Sequence, residues 1–234
     1  LHEVGADWNR MHYGFLSHEH TDHLLGMVWV MRYYAELMLY KDYQGDFTLF
    51  THDVAAEKVI AVCKLLLKPA LAALIGDRVK VQIVEDGDSV EINGDVYTFF
   101  DIHSTKAKQF GFRLDNKEGT SLVFLGDEPF AEECAKYVEP CDYMIHESFC
   151  LYSERHLWDP YELHHSTIRE ACLTGERFHA KHLIITHTED FSTYGCKQER
   201  YTAEGKEYYT GDLIVPLDFD VIEFENDNTC TPKK

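Results

Sequence analysis

The sequence predicts an α/β fold, an αββα sandwich in which two mixed β-sheets pack face to face with helices on their outer faces. Two features support this prediction: the predicted strands pair as hairpins early in the chain, and strands alternate with helices later. Such a mixture is typical of two packed sheets covered by helices. The length of 234 residues fits one domain over residues 1–234. There is no run of about 18 apolar residues, so we expect no membrane span.

Turn signals and apolar periodicity define the individual elements in order. Strands are predicted at residues 13–17, 47–51, 79–84, 90–92, 96–102, 110–114, 121–125, 143–146, 182–186, 213–216 and 221–224. Helices are predicted at residues 24–40, 54–67, 130–138 and 165–178, and a short helix or turn at residues 2–12. Asp53 is placed to cap the second of these helices. Asn93–Gly94 lies between two apolar runs and is the strongest short hairpin signal.

The charge balance is strongly acidic, with 41 Asp and Glu against 22 Lys and Arg. Nucleic-acid binding draws much of its affinity from basic side chains that neutralise phosphates, and the sequence has no basic stripe. This disfavours RNA as a partner, although bound metal ions would offset the acidity locally.

The seven scattered cysteines form no C-x-x-C pair. We expect them to be small buried hydrophobes in a reducing compartment, which indicates a cytoplasmic location.

The most informative segment is HEHTDH at residues 18–23, which has the pattern H-x-H-x-D-H. It follows an apolar strand and precedes an apolar helix. In an extended segment, side chains two apart point the same way, so His18 and His20 can hold one ion together. Asp22 and His23 lie just past the turn and can face a second ion. Imidazole and carboxylate are good zinc ligands, so a solvated loop with chance histidines is a poor alternative.

Three further ligand-type residues follow predicted strands, which is where sites form on such scaffolds. They are His103, Asp127 and His187. Each alone is more often a cap or a turn residue. Two metal ions need more than four ligands, however, and these three residues would complete the set begun by segment 18–23.

The sequence resembles the metallo-β-lactamase superfamily over most of its length. The resemblance rests on four motifs in the family's order: SHEHTDHLLG (17–26), DIHSTKAKQFGFRL (101–114), VFLGDE (123–128) and LIITHTE (183–189). It implies a centre of two divalent metal ions. By this resemblance, one ion is held by His18, His20 and His103, the other by Asp22, His23 and His187, and both by Asp127.

Two residue types within these motifs distinguish branches of the superfamily. True β-lactamases usually have a cysteine at the position of Asp127, so β-lactam hydrolysis is disfavoured. Flavodiiron proteins have a glutamate at the position of His20, so His20 favours zinc hydrolysis over iron redox chemistry. We therefore expect two Zn²⁺ ions, with Mn²⁺ or Fe²⁺ as alternatives because nitrogen and oxygen ligands accept several metals.

Two other segments are similar to the ribonuclease Z branch, which includes tRNA 3′-end endoribonucleases and phosphodiesterases. YMIHESF (143–149) resembles its HEAT motif, with serine in place of alanine, and HST (165–167) matches its HST motif. The resemblance implies that Glu147 orients His165, which then gives a proton to the leaving oxygen. The structural alternatives are a salt bridge for Glu147 and a helix cap for His165.

The function implied is that of a binuclear metal-dependent hydrolase, in which a metal-bridging hydroxide attacks the phosphorus of a phosphodiester. Asp22 would orient that hydroxide, and His165 would protonate the departing alkoxide. A hydrolase of the same fold acting on a carboxylic ester, thioester or lactone is one alternative. The Glu147–His165 pair separates the two, because phosphodiester cleavage uses such a pair and lactone opening need not. A non-catalytic metal-binding protein is another, against which the complete ligand set argues. The roles of His146 and His164 stay open.

Two departures from the ribonuclease Z branch shape the expected substrate and assembly. The protruding arm that grips the tRNA body, often rich in Gly and Pro, has no clear equivalent. Together with the acidic charge, this favours a small phosphodiester or nucleotide-derived substrate over tRNA.

Only seventeen residues precede segment 18–23, whereas the family begins with β-strands ahead of that motif. The leading strands are therefore absent from this chain, which is expected to be a fragment or a variant completed by another chain. If the strands are missing from the protein itself, one sheet has an exposed edge, which favours a homodimer or instability.

Overall fold

The structure, a computed structural model, describes residues 3–224 of the chain. Residue 2 of the first predicted turn, and Cys230, lie outside the described residues. Between residues 3 and 224 no helix is long and apolar enough to cross a bilayer. Five of the six described cysteines are buried and all six are free thiols, as their scattered spacing predicts.

Strands and helices alternate through most of the described chain. The strands are β1 (Tyr13–Phe15), β2 (Phe47–Thr51), β3 (Val79–Ile83), β4 (Ser89–Ile92), β5 (Asp95–Asp101), β6 (Phe110–Asp115), β7 (Ser121–Phe124), β8 (Tyr143–Glu147), β9 (His182–Thr186) and β10 (Asp212–Ile214). The helices are α1 (Thr21–Tyr40), α2 (Asp53–Leu66), α3 (Pro69–Ala72), α4 (Ala135–Val138), α5 (Arg155–Trp158), α6 (Ile168–Arg177) and α7 (Lys197–Gly205).

The strands form two sheets, as predicted. The first has the order β1-β2-β3 and is parallel throughout. The second has the order β10-β9-β8-β7-β6-β5-β4, with parallel pairs from β10 to β7 and antiparallel pairs from β7 to β4. The two-sheet α/β fold is confirmed, but the prediction that both sheets are mixed is wrong for the first. Helices connect the strands of that sheet, and such crossovers return the chain in the same direction.

An aromatic layer joins the two sheets. Phe15 of β1 and Phe50 of β2 stack against Phe99 of β5, with ring-centroid distances of 5.6 and 5.3 Å. Phe99 and Phe110 of β6 are both buried in the same cluster. Aromatic side chains contribute a large buried apolar area, so this layer fixes the first sheet on the second.

Helices cover the outer faces of the sheets. On the first sheet, Tyr34 of α1 is fully buried and stacks on Phe47 of β2 at 4.1 Å. On the second, Ile168 of α6 and Leu183 of β9 are fully buried in one core cluster. Each sheet therefore has its own core beneath its helices, separate from the aromatic layer between the sheets.

Several element boundaries differ from the prediction. Helix α1 begins at Thr21 rather than at residue 24, so Asp22 and His23 lie in its first turn. The helix predicted at 130–138 is a 3₁₀ turn followed by the single turn of α4. The strand predicted at 221–224 is reduced to one bridge residue. Helix α7 is absent from the prediction because its sequence, KQERYTAEG, is mostly polar.

Candidate metal centre

The candidate ligands meet where one edge of the second sheet approaches the start of α1. Strands β7, β8 and β9 are parallel, so their carboxyl ends lie at the same edge. Asp127, Glu147 and His187 lie at those ends or just beyond them. His18 follows β1, and His23 lies in the first turn of α1; both reach Asp127 from the first sheet.

Three groups of possible metal ligands have their ligand atoms within 4.8 Å of one another. The groups are His18, His20 and Asp127; Asp22, His23 and His187; and Asp127, Glu147, His165 and His187. Because Asp127 and His187 each belong to two groups, the three groups merge into one centre. Two sets of histidine and aspartate donors that share a carboxylate can hold more than one divalent ion.

Asp127 lies at the middle of this centre. Its Oδ2 is 3.7 Å from His18 Nε2 and 3.6 Å from His23 Nε2. Its Oδ1 is 3.0 Å from His187 Nδ1 and 3.7 Å from His165 Nδ1. The side chain is buried. Each carboxylate oxygen therefore faces a different pair of histidines, which is the arrangement that a bridging ligand requires.

Burial and neighbouring charges set the protonation of the centre. Burial, together with the nearby charge of His23, lowers the pKa of His18 to about 3. Burial also opposes the charge on His23, but the adjacent carboxylates of Asp127 and Asp22 raise its pKa above the ordinary value. At Asp127 the neighbouring histidines outweigh burial and lower the pKa of the carboxyl. His18 is therefore neutral and Asp127 ionised at neutral pH, which are the forms that bind metals.

Several buried polar atoms at the centre lie close together yet make no hydrogen bond of normal geometry. They are His23 Nε2, Asp127 Oδ1, Glu147 Oε2, His165 Nδ1 and His187 Nδ1. A buried polar atom without a partner is costly, so such a cluster needs a group that accepts nitrogen and oxygen donors together. A divalent metal ion is such a group, and the residues present therefore fit it.

His103 is the one predicted ligand that the structure does not bring into these groups. It is exposed, its backbone adopts a positive φ of 59°, and its amide donates to Asp101 Oδ1 at 2.8 Å. The other six predicted ligands, by contrast, all belong to the cluster. The assignment of His103 as a ligand stays a prediction.

His165 lies beside the centre, and Glu147 is placed to orient it. Glu147 is fully buried; its Oε1 accepts a hydrogen bond from the Ser166 amide, and its Oε2 is 3.7 Å from His165 Nδ1. The Phe149 ring stacks on the His165 imidazole at 5.1 Å. Helix α6 is capped by Thr167 in a capping box, so the alternative that His165 caps this helix is wrong.

The two histidines whose roles the sequence leaves open have local structural contacts. His146 is fully buried in β8 and its Nδ1 lies 2.7 Å from the Glu147 carbonyl oxygen; burial lowers its pKa. His164 has a positive φ of 56°, and its Nδ1 lies 2.8 Å from Thr105 Oγ1. Neither belongs to a metal group in the described residues. Both support the segments that hold Glu147 and His165.

Two residues beside the centre have roles that their sequence motifs do not reveal. Glu128 is buried, and its carboxylate accepts hydrogen bonds from the loop of residues 103–107. Lys106, on that loop, places its Nζ 3.1 Å from His165 Nε2. Both lie within motifs that carry the resemblance, but the motifs do not reveal that Glu128 anchors this loop or that Lys106 reaches His165.

Comparisons with known proteins indicate the same family as the motifs. The beta-lactamase superfamily domain matches residues 3–188. A ribonuclease Z of Thermococcus sibiricus is 29% identical over 133 residues, which cover 57% of this chain and 38% of that protein. A zinc phosphodiesterase ELAC protein 2 homolog of Caenorhabditis elegans is 32% identical over 85 residues, which cover 36% of this chain and 10% of that protein.

A solved structure shares the fold. Human tRNase Z, short form, superposes with a TM-score of 0.66 at 17% identity, covering 94% of this chain and 81% of that one. At such identity the likeness concerns the fold alone. The matches to the first two ribonuclease Z relatives cover 38% and 40% of their lengths. Because the superfamily domain matches most of the described residues, the chain belongs to the metallo-β-lactamase superfamily, near its ribonuclease Z branch.

Proposed function

We propose that the chain is a binuclear, metal-dependent phosphodiesterase. The observation that supports this most is a single cluster around Asp127, which contains six of the seven predicted metal ligands and the Glu147–His165 pair. Phosphodiester cleavage needs metal donors that act on the phosphate and a proton donor for the leaving oxygen. The cluster contains residues of both kinds.

The histidines and aspartates of the cluster would hold two divalent ions, with zinc the first choice for this donor set. When bound, such ions lower the pKa of water toward neutrality and stabilise negative charge on phosphate oxygens. Asp22 Oδ2 lies 3.2 Å from His23 Nε2 and 3.3 Å from His187 Nε2. Its exposed carboxylate can accept a hydrogen bond from the attacking water and so orient it.

His165 is placed to donate a proton to the leaving oxygen. Its Nδ1 faces the Glu147 carboxylate, and its Nε2 points toward Lys106. A carboxylate beside one ring nitrogen accepts that nitrogen's N–H and so holds the ring in one orientation. Proton transfer from a positioned side chain contributes about 10²- to 10⁴-fold to the rate.

An aromatic run beside His165 supports a nucleotide-derived substrate. Phe149 stacks on His165, Trp158 contacts Phe149 at 6.1 Å, and Phe191 contacts Trp158 at 6.3 Å. Phe191 is 91% exposed. Exposed aromatic rings stack nucleobases, with about 1–3 kcal/mol per base. We infer that a substrate base packs against this run while its phosphate reaches the centre.

Cleavage of RNA is the second candidate function. The likeness to ribonuclease Z favours it, whereas a net charge of −19 disfavours a large polyanion. Hydrolysis of a carboxylic ester, thioester or lactone is a weaker candidate, because it would leave the Glu147–His165 pair without a role.

Hydrolysis of bis(p-nitrophenyl) phosphate by the zinc-loaded protein tests the proposal. We expect turnover that disappears when a chelator removes the metal and returns when zinc is added. Parallel assays with a precursor tRNA, a p-nitrophenyl carboxylic ester and a lactone separate the candidates. Turnover of the ester or the lactone without any phosphodiester turnover would show that the proposed activity is wrong.

Stacking of a substrate base on Phe191 is tested separately, by comparing KM values of one variant for two substrates. Phe191→Ala should raise the KM for a 2′,3′-cyclic nucleotide about tenfold, as loss of one stacking contact implies, and leave the KM for ribose 2′,3′-cyclic phosphate, which has no base, unchanged. Tyr194→Ala is the matched control, because Tyr194 is an aromatic residue 87% exposed on the same segment. An equal rise in KM for both substrates would contradict base stacking.

A further inference from the structure

Lys106 brings a positive charge to the side of the proposed proton donor. Its Nζ donates to His165 Nε2 at 3.1 Å. Within residues 3–224, no carboxylate forms an ion pair with this ammonium group. Lys108, two residues further on, differs in this respect: its Nζ pairs with Asp53 Oδ1 at 2.6 Å on the protein surface. One lysine of the loop is therefore neutralised, and the other is left with its charge at the centre.

The loop that holds Lys106 is anchored on two sides. Glu128 Oε1 accepts from Ser104 Oγ at 2.6 Å and from the Lys106 amide at 3.3 Å, and Glu128 Oε2 accepts from the Thr105 amide at 3.0 Å. On the other side, Thr105 Oγ1 lies 2.8 Å from His164 Nδ1. Because these contacts order the loop before substrate arrives, binding loses less conformational entropy.

We propose that the Lys106 ammonium group binds a non-bridging oxygen of the substrate phosphate. This proposal rests on the proposed phosphodiesterase function and names a residue that recognises its substrate. A protein with a net charge of −19 repels an anionic phosphodiester unless positive charge meets the phosphate locally. Lysine binds phosphate as a compact point charge, and the ordered loop holds this one beside His165, the proposed proton donor to the phosphate ester.

The contact between Lys106 and His165 also explains how substrate binding releases His165 Nε2 for proton transfer. A lysine ammonium can only donate hydrogen bonds, so the His165 Nε2 lone pair is its acceptor in the structure. A phosphate oxygen is a stronger, charged acceptor, and it takes the place of Nε2 when substrate binds. Once Nε2 no longer accepts from Lys106, it can take up a proton from water and pass that proton to the leaving oxygen, while Lys106 neutralises charge on the phosphate.

Calorimetric titration of the zinc-loaded protein with inorganic phosphate tests the lysine directly. Lys106→Met should raise the Kd for phosphate about 10- to 100-fold, the value of one hydrogen bond to a charged group. Lys106→Arg keeps the charge and should bind within about threefold of the wild type. Lys108→Met is the matched control and should bind as the wild type does. Zinc content and melting temperature are measured on each variant, so that metal loss or unfolding is recognised.

Phosphate binding that is as tight in Lys106→Met as in the wild type would overturn the proposal, as would equal weakening in Lys108→Met or a wild type that binds no phosphate. Turnover of bis(p-nitrophenyl) phosphate by the same wild-type preparation separates the two claims. An active wild type with unchanged phosphate binding in Lys106→Met overturns the lysine's role alone. An inactive wild type whose phosphate binding depends on Lys106 overturns the phosphodiesterase function and supports the anion site.

Discussion

The Asp127→Ala variant is expected to lose both bound metal and turnover. The Asp127 carboxylate lies within 3.7 Å of four histidines, with Oδ2 facing His18 and His23 and Oδ1 facing His165 and His187. Alanine removes the carboxylate that all four histidines face. We expect fewer than one zinc ion per chain and a fall in kcat/KM for phosphodiesters of at least about 1,000-fold, which corresponds to about 4 kcal/mol.

Elemental analysis of the purified variant, together with bis(p-nitrophenyl) phosphate assays, measures this loss. Asp212→Asn is the matched control. Asp212 Oδ2 also faces a histidine, His182 Nδ1, at 2.9 Å, but this pair belongs to none of the three metal groups. The control should keep the wild-type zinc content and rate. If Asp127→Ala retained two zinc ions, or if Asp212→Asn lost as much activity, Asp127 would not be the shared ligand.

The His165→Gln variant is expected to slow phosphodiester cleavage by an amount that depends on the leaving group. An alkoxide is strongly basic and needs a proton as it departs, so a dinucleotide substrate should lose about 10²- to 10⁴-fold in kcat. A p-nitrophenolate is stable without that proton, so bis(p-nitrophenyl) phosphate should lose far less. Glutamine keeps a polar side chain beside Glu147, and the zinc content should stay that of the wild type.

Rates of the two substrates, measured side by side in each variant, give the readout. Glu147→Gln should show the same leaving-group dependence with a smaller loss of about 10- to 100-fold, the usual effect of removing a group that orients an active imidazole. Because both residues serve one proton transfer, the double variant should be little slower than His165→Gln alone. Equal slowing of both substrates, or loss of zinc, would contradict the role of His165 as proton donor.

The sequence predicts those parts of the centre that depend on the spacing of residues along the chain and on which residues follow a strand. His18 and His20 are two residues apart after a strand, and spacing alone is enough to expect them on one side. Asp127 and His187 follow apolar strands, and their meeting depends on those strands running parallel in one sheet with a single strand between them. The structure shows that β7, β8 and β9 are so arranged. The predicted αββα fold rests on the same alternation of strands and helices.

The rest depends on contacts between distant residues, which leave no periodic signal. Glu128 holds a loop more than twenty residues earlier in the chain, and Lys106 meets His165 across 59 residues. Helix α1 begins at Thr21, inside the histidine-rich segment and before the predicted start at residue 24. Asp22 favours this earlier start, because negative charge is stabilising in the first turn of a helix. His103 shows the converse: its motif supports it as a ligand through the resemblance, but it is not among the three groups of possible ligands in the described residues.

The stoichiometry of zinc binding tests the central claim most directly. Metal-free protein is titrated with Zn²⁺ by calorimetry, and phosphodiester turnover is followed across the same titration. We expect two zinc ions per chain at saturation, no turnover before metal is added, and full activity when both equivalents are bound. Saturation at one ion or none, or phosphodiester turnover by the metal-free protein, would contradict a two-ion centre built around Asp127.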